Sequence, residues 1–417
     1  YESIKKGFEE DNKLFYILTN SRGFTVEQTT RAHLEIGENV ARVSEETGID
    51  YVIVSRGDST LRGHYPLETE LLAQAEETYR GKDGEIICPY FKEGGRFTID
   101  NVHYVKYGEQ LVPAGETEFA GDRTFGYHSS DLREYVEEKT GGRYKAEDVA
   151  YVSVEELRGA DYAGITEKLM GLHGFGKLVV NAVDACDLKV FCIALYNAMG
   201  QGKRFMFRTA AGFVKEFGAV SERPLLGRSE MIGSSCNTGG IIVVGSHTKK
   251  TTSQLEALKQ VPGIEFIEFD SDLVLDEDRF REEVERVIRQ EEELLGRGVT
   301  VAVYTKRKLL SLDNDSPEAA LVRSVKISDA VQSLVGRLKV APAFVMAKGG
   351  ITSSDVGTKA LQVKKATVLG QIRPGIPVWK TGEESRFPGI PYIIFPGNVG
   401  EADTLKEAVG ILMGGLQ

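Results

Sequence analysis

The residues best suited to chemistry are concentrated in one ten-residue stretch, SRGDSTLRGH, at positions 55–64. Its two arginines, Arg56 and Arg62, lie on either side of Asp58 and Ser59. Guanidinium groups bind carboxylates through paired hydrogen bonds, while aspartate and serine side chains hydrogen-bond to hydroxyls. These residue types favour a small polyhydroxylated carboxylic acid as the ligand. A network of ion pairs that only holds the loop in place is the alternative.

The flanking elements place this stretch at the end of a strand. The apolar run at 51–54 predicts a buried strand, and Pro66 suits the first turn of a helix. Apolar residues at helical spacing predict that the helix covers 67–79. Ligands of open α/β sheets bind outside the carboxyl ends of strands. The stretch is therefore expected to lie in a ligand-binding crevice.

Further polar residues follow other predicted strands and are candidates for the same crevice. They are Arg22, Arg96, Asp184 and Arg208, each with a bracing or surface role as the alternative. His64 lies close to the predicted helix start, and a lone histidine there is more often structural than catalytic.

In the second half of the chain, three predicted strands end in loops of small residues, at 244–248, 348–355 and 395–400. Glycines let backbone N–H groups approach a phosphate, and helix N-termini carry partial positive charge. There is no GxGxxG, and Lys348 precedes its glycines, so neither the dinucleotide fingerprint nor a Walker A motif is present. Together the loops favour ATP over NAD, although glycine is also common at such turns for steric reasons.

The bulk properties restrict the class of protein. A chain of 417 residues with 41% hydrophobic and 27% charged residues predicts a globular protein of two domains. A net charge of −11 argues against nucleic-acid and membrane partners. The cysteines form no metal-binding pattern, which favours buried, reduced thiols and a cytoplasmic location. They are Cys88, Cys186, Cys192 and Cys236.

The order of predicted elements indicates the fold. Helices and strands alternate, beginning with a predicted strand at 13–19, and this favours two α/β domains with mainly parallel sheets. Short alternating runs within 89–120 predict a hairpin insertion in the first domain. A linker at 222–240 would separate a substrate-binding domain, 1–225, from a nucleotide-binding domain, 238–417. The chain begins at Tyr1, and we expect a further strand upstream of it.

Several motifs together resemble the four-carbon acid sugar kinase family. They are SRGDSTLRGH, VVGSHTKKTTSQLEAL, KGGITSSDVG and FPGN, with TNSR at 19–22 and GGR at 94–96. The resemblance implies a two-domain kinase that uses ATP and Mg²⁺ to phosphorylate a hydroxyl of a four- to five-carbon sugar acid. Threonate, erythronate and 3-oxo-isoapionate are examples. It also implies that the N-terminal domain binds the acid and the C-terminal domain binds ATP, with a homo-oligomer as one possible assembly.

The resemblance assigns roles to particular residues. Asp58 and Arg62 are the catalytic candidates, and Asp58 would orient or deprotonate the attacking hydroxyl. The expected acid-binding residues are Arg22, Arg56, Asp58, Ser59, Arg62 and Arg96. The expected nucleotide-binding residues are Ser246, Gly349, Gly350, Ile351, Thr352, Gly397 and Asn398.

Two departures from the family pattern leave other functions open. The usual Asp-Asp-x-Thr-Gly loop is not present, so the general base and the metal ligands are unknown. Ile351 replaces a usual glutamate, for which Asp355 is a candidate substitute. The alternatives are a non-catalytic sugar-acid binding protein and an NAD-dependent sugar-acid dehydrogenase.

Overall fold

The structure, a computed structural model, describes residues 1–57, 59–233, 236–308, 310, 317–397 and 399–415. The chain divides into two compact units, Tyr1–Glu222 and Arg223–Gln417. Each unit has its own mainly parallel sheet with helices, and the first also contains an antiparallel hairpin sheet. The predicted fold class is therefore confirmed.

The first unit is built on a five-stranded sheet of described strands, all of them parallel. Its order is β1-β8-β2-β7-β6, with β1 Val54–Arg56, β2 Gly84–Cys88, β6 Ala150–Val152, β7 Gly176–Val180 and β8 Phe205–Thr209. The central strands are short, apolar and buried, as strands covered by helices on both faces must be.

The helices of this unit begin and end at recognisable signals. They are α1 Glu2–Phe8, α2 Val26–Thr47, α3 Leu67–Arg80, α4 Leu132–Lys139, α5 Val154–Arg158, α6 Tyr162–Met170, α7 Ala185–Gly200 and α8 Ala211–Phe217. Helix α2 begins with a capping box, in which the side chains of Thr25 and Gln28 each accept a bond from the other's backbone N–H. Gly37 lets α2 approach α3, since a Cβ there would lie 2.4 Å from that of Ala75.

The predicted hairpin insertion is also confirmed. Strands β3 Arg96–Ile99, β4 Val102–Tyr107 and β5 Gln110–Pro113 form an antiparallel sheet. The turn between β3 and β4 is fixed to the main sheet, because Asn181 accepts a bond from the Asn101 backbone (2.7 Å) and donates one to its side chain (3.0 Å). The insertion is thereby held at the carboxyl end of β7.

The predicted strand at 13–19 is wrong. The segment forms no regular strand, and β1 is shorter than the predicted run at 51–54 and shifted towards the loop. Tyr16, Ile17 and Leu18 are 59%, 41% and 67% exposed. An apolar sequence forms a strand only when a neighbour satisfies its backbone groups, and β1 pairs with β8 alone among the described strands.

The second unit is built on a seven-stranded sheet of described strands, in the order β10-β11-β9-β12-β15-β14-β13. The bounds are β9 Ile241–Val244, β10 Ile264–Phe269, β11 Thr300–Thr305, β12 Val345–Lys348, β13 Ala366–Arg373, β14 Ile376–Thr381 and β15 Pro391–Phe395. The first five strands in that order are parallel, and β14 and β13 complete the sheet in antiparallel fashion. Strand β14 was not predicted.

The helices of the second unit are α9 Arg228–Met231, α10 Lys249–Leu258, α11 Glu277–Gly296, α12 Pro317–Gly336, α13 Gly350–Asp355 and α14 Thr404–Met413. No described helix is long and apolar enough to cross a membrane. All four cysteines are free thiols, but only Cys88 and Cys192 are buried, so the expectation of four buried thiols is wrong.

Candidate substrate and nucleotide sites

The loop after β1 has a defined backbone conformation that the surrounding structure imposes. Thr60 and Leu61 have φ angles of 53° and 66°, in the left-handed region that side chains other than glycine avoid. The Tyr127 hydroxyl donates to the Thr60 carbonyl (3.1 Å), and the Tyr135 hydroxyl donates to the Leu61 carbonyl (2.7 Å). Two buried tyrosines therefore stabilise a conformation that costs about 1–2 kcal/mol per residue.

Arg208, on β8, contacts the same loop. Its guanidinium pairs with Glu68 (3.1 Å) and donates to the Arg62 carbonyl (3.3 Å). Gly63, with a φ of 133°, allows this close contact, because a Cβ there would lie 3.0 Å from the guanidinium. Arg208 thus braces the loop, which was the alternative role considered for it.

Arg62 and Arg96 are brought together over one aromatic ring. Their guanidinium carbons lie 4.9 Å and 5.1 Å from the centre of the Phe119 ring. Arg62 also pairs with Asp122 (3.3 Å), and Arg96 donates to the Thr60 hydroxyl (2.7 Å). Burial lowers the pKa of Arg96, and the positive charge of Arg62 lowers it further, so a bound anion would offset the repulsion between the two cations. Phe119 and Asp122, which lie in the segment after the hairpin, were not predicted as site residues.

The other predicted acid-binding residues that the structure describes are half-buried or exposed. Ser59 is half-buried, and its carbonyl accepts a bond from Arg62 (2.8 Å). Arg56 is exposed at the end of β1, and Arg22 is exposed in a short 3₁₀ helix, Ser21–Gly23. Asp58 lies outside the described residues.

Two further candidates have structural contacts. Asp184 pairs with Lys92 (2.5 Å) and caps the start of α7. His64 bonds to the Phe24 carbonyl (3.0 Å). No described contact joins either of them to Arg62 or Arg96.

In the second unit, the three small-residue loops begin at the same edge of the sheet. Strands β9, β12 and β15 are adjacent, with Lys348 in register with both Val244 and Phe395. An added Cβ at Gly245 would lie 2.3 Å from the Thr352 hydroxyl, and one at Gly349 would lie 3.3 Å from Ser246. The loops therefore touch one another because their closest residues lack side chains.

The remaining predicted nucleotide-binding residues surround this contact. Gly349 has a φ of 123°, which strongly favours glycine, whereas a Cβ on Gly350 would enter open space. A Cβ on Gly397 would lie 3.8 Å from the Gly350 nitrogen. Ile351 is 74% exposed on the first turn of α13. Asn398 lies outside the described residues.

Two cations near these loops were not predicted as site residues. Lys348 is fully buried, and its Nζ donates to the carbonyls of Pro396 (2.7 Å) and Gly397 (3.1 Å). Arg307 follows β11 and donates to the Ser246 carbonyl and the Thr252 hydroxyl (3.1 Å). Both lie at the carboxyl ends of strands, where ligands of α/β sheets bind. Their positions after predicted strands could therefore have identified them as candidates.

No group of three or more His, Cys, Asp or Glu side chains among the described residues is arranged to hold a metal ion. Asp355, the candidate substitute for the glutamate at 351, lies at the end of α13. Its carboxylate accepts from Ser328 (2.7 Å) and pairs with Lys359 (3.3 Å). The described partners of Asp355 thus lie outside the three small-residue loops.

Comparison with known proteins gives a consistent result. Residues 2–217 match a family model described as a sugar-binding N-terminal domain, and 241–405 match a nucleotide-binding C-terminal domain. A Haemophilus influenzae protein of the family DUF1537 shares the fold, with a TM-score of 0.63 and 18% identity over 94% of this chain and 88% of that one.

A Salmonella typhimurium LT2 protein also has a TM-score of 0.63, with 17% identity over 93% of this chain and 86% of that one. The chain has no significant match among curated proteins. On the strength of the two family models, the chain belongs to the four-carbon acid sugar kinase family, with a sugar-binding domain followed by a nucleotide-binding domain.

Proposed function

We propose that this protein is an ATP-dependent kinase that phosphorylates a hydroxyl of a four- to five-carbon sugar acid such as threonate, erythronate or 3-oxo-isoapionate. The observation that carries the proposal is the Arg62 and Arg96 pair over Phe119 in a domain of the sugar-binding family. A carboxylate forms charge-assisted, paired hydrogen bonds with guanidinium groups, whereas a neutral sugar gains no such charge pairing.

In this proposal the acid binds within residues 1–225. Arg62 and Arg96 take its carboxylate, with Arg22 and Arg56 as further cations. Ser59 and Asp58 take its hydroxyls. Charge-assisted hydrogen bonds contribute about 1.5–3 kcal/mol each, so two or three of them suffice for a small ligand. The braced backbone at 60–61 supports this role, because a rigid loop loses little entropy on binding.

ATP binds within residues 238–417, at the loops that contain Ser246, Gly349–Thr352 and the pair Gly397 and Asn398. A Cβ at Gly350 would enter open space, which leaves room for a phosphate to approach the backbone there. Mg²⁺ would bind through the phosphates of ATP, since the described residues contain no carboxylate cluster for it.

The reaction is an in-line transfer. The substrate hydroxyl oxygen forms a bond to the γ-phosphorus, the bond from that phosphorus to the β–γ bridging oxygen breaks, and ADP leaves. Asp58 is our candidate to accept the hydroxyl proton. The chain's main contribution is positioning and charge neutralisation, because phosphoryl transfer needs little covalent help from the enzyme.

A coupled assay tests the proposal with ATP, Mg²⁺ and a panel of four- and five-carbon sugar acids. We expect ADP release that depends on one acid or a few related acids, and none with the corresponding neutral sugar alcohols. ADP release without any acid, or no phosphorylation of any acid on the panel, would contradict the proposal.

A non-catalytic sugar-acid sensor is the second candidate. It is favoured by Ile351, which leaves an exposed apolar side chain where the family usually has a carboxylate. Thermal shift separates the two functions. A kinase is stabilised by ATP and by acid, whereas a sensor that binds only the acid is not stabilised by nucleotide.

A further inference from the structure

Lys348 is a buried cation. Its side chain is fully buried at the end of β12, and it forms no ion pair with a described carboxylate. Its ammonium donates to the carbonyls of Pro396 and Gly397 and lies over the ring of Phe395, whose centre is 4.2 Å away. Burying an ammonium ion costs several kcal/mol, so its presence here needs a specific explanation.

The geometry of the peptide group provides that explanation. In a planar trans peptide the C=O and the following N–H point in opposite directions. Because the Pro396 carbonyl is held towards the Lys348 ammonium, the Gly397 N–H is directed away from it. That N–H has no acceptor among the described residues. Gly397 is also next to the glycine loop that follows β12, since a Cβ added to Gly397 would lie 3.9 Å from the Gly349 Cα.

The charge environment points to an anionic ligand. Burial and, after it, the Lys250 ammonium on α10 lower the pKa of Lys348 to about 8. The neighbouring charge that affects Lys348 is thus also positive. Arg307, the other unpredicted cation, has its Nε and Nη1 without partners among the described residues. Neither Lys348 nor Arg307 forms an ion pair with a described carboxylate, and the phosphates of a nucleotide would supply the negative charge.

We propose that Lys348 is a positioning residue of the nucleotide site, whose ammonium holds the Pro396 and Gly397 carbonyls inward so that the Gly397 N–H faces the nucleotide phosphates. The inference rests on nucleotide binding by this domain and does not require the kinase reaction. It explains why the lysine lies before the glycines of its loop, where it cannot act as a Walker A lysine.

Calorimetric titration of full-length Lys348→Met with ADP, ATP and adenosine tests the inference. Loss of the oriented N–H and of the charge should weaken ADP and ATP binding roughly 10- to 100-fold, from the strength of charge-assisted bonds. Adenosine binding should weaken much less. Because the substitution also removes an unpaired buried charge, the melting temperature without ligand should fall little. Lys380→Met, at an exposed lysine on β14, is the matched control.

The outcomes are distinguishable. Unchanged ADP affinity in Lys348→Met would overturn the inference, and so would an equal loss for adenosine and ADP, which indicates a merely structural role. If Lys348→Met does not fold, Lys348→Gln retains a neutral donor and should bind ADP with intermediate affinity; unchanged affinity there would also overturn it. If the wild-type protein binds no nucleotide, the proposed function itself fails.

Discussion

Arg62 is the residue whose substitution most directly probes acid binding. Its guanidinium is only 20% exposed and is fixed by Asp122, Ser59 and the Phe119 ring. Arg62→Lys keeps the charge but loses the planar fork, so KM for the acid should rise about 10-fold or more, while ADP affinity is unchanged.

Arg133→Lys is the matched control for this change. Arg133 also pairs with an aspartate, Asp131 (3.4 Å), and lies over a ring, Tyr151 (5.4 Å), elsewhere in the same unit. An equal rise of KM in both variants, or a fall in ADP affinity in Arg62→Lys, would place Arg62 outside the acid site.

Substitutions at Gly350 and at the neighbouring Gly349 test whether the loop after β12 binds phosphate, because the two glycines differ in how well they tolerate a side chain. A side chain on Gly350 enters open space, whereas Gly349 has a φ of 123° that valine tolerates poorly. We therefore expect Gly350→Val to reduce ADP affinity at least 10-fold with little change in melting temperature, and Gly349→Val to lose both. Titration calorimetry and thermal unfolding measure these effects. Normal ADP binding by Gly350→Val would mean that phosphates do not approach this glycine.

One of the tyrosines that support the 60–61 turn connects helix α4 to the proposed acid-binding loop. Tyr135, on α4, stacks against Tyr65 at 5.6 Å and donates to the Leu61 carbonyl. Tyr135→Phe should reduce the free energy of unfolding by about 1 kcal/mol and raise KM for the acid, because the turn becomes less well held. Tyr196→Phe removes a similar bond to the Phe217 carbonyl away from the loop, and should leave KM unchanged.

Helix α11 contains a buried carboxyl that the proposed reaction does not use. Glu291 is fully buried, and neither side-chain oxygen has a partner among the described residues. Burial raises the pKa of Glu291 well above its ordinary value. The stability contributed by this group is therefore fully present below the pKa of the unfolded chain, about 4.3, and is lost as the pH rises towards the folded pKa.

Glu291→Met should remove this pH dependence. We expect the variant to be more stable than the wild type by roughly 1–3 kcal/mol at alkaline pH, with a smaller difference in acid. Urea unfolding across a pH series measures it, with Glu282→Met, at an exposed position of the same helix, as the control. A constant difference across the series would show that Glu291 does not titrate differently on unfolding.

The sequence predicted elements well where the signal is local. Strand β9 ends where a strand was predicted to enter the loop at 244–248, because a buried apolar run followed by turn residues suffices to define it. The segment at 13–19 has an equally apolar sequence, but its conformation depends on a neighbouring strand that no local pattern reveals. Likewise the glycine loops were predicted from their own residues. The contact of Arg62 with Asp122 joins positions 60 residues apart and became visible only in the fold.

A single tryptophan distinguishes the two units. Trp379 is the chain's single tryptophan, and it packs against Tyr392 in the nucleotide-binding domain. Tryptophan fluorescence therefore reports unfolding of that domain. At an ADP concentration of about 100 times Kd, the free energy of unfolding detected by this probe should increase by about 2.7 kcal/mol. ADP binding by calorimetry without any shift in this transition would place the nucleotide elsewhere.

The exposed apolar residues near β1 affect how the protein behaves in solution. Tyr16, Ile17 and Leu18 lie exposed in a unit where β1 pairs with β8 alone among the described strands. Exposed apolar edges of sheets promote pairing between molecules, and the net charge of −11 opposes it by mutual repulsion. Because salt screens that repulsion, added salt should favour aggregation of this chain, and low ionic strength should preserve a monodisperse sample.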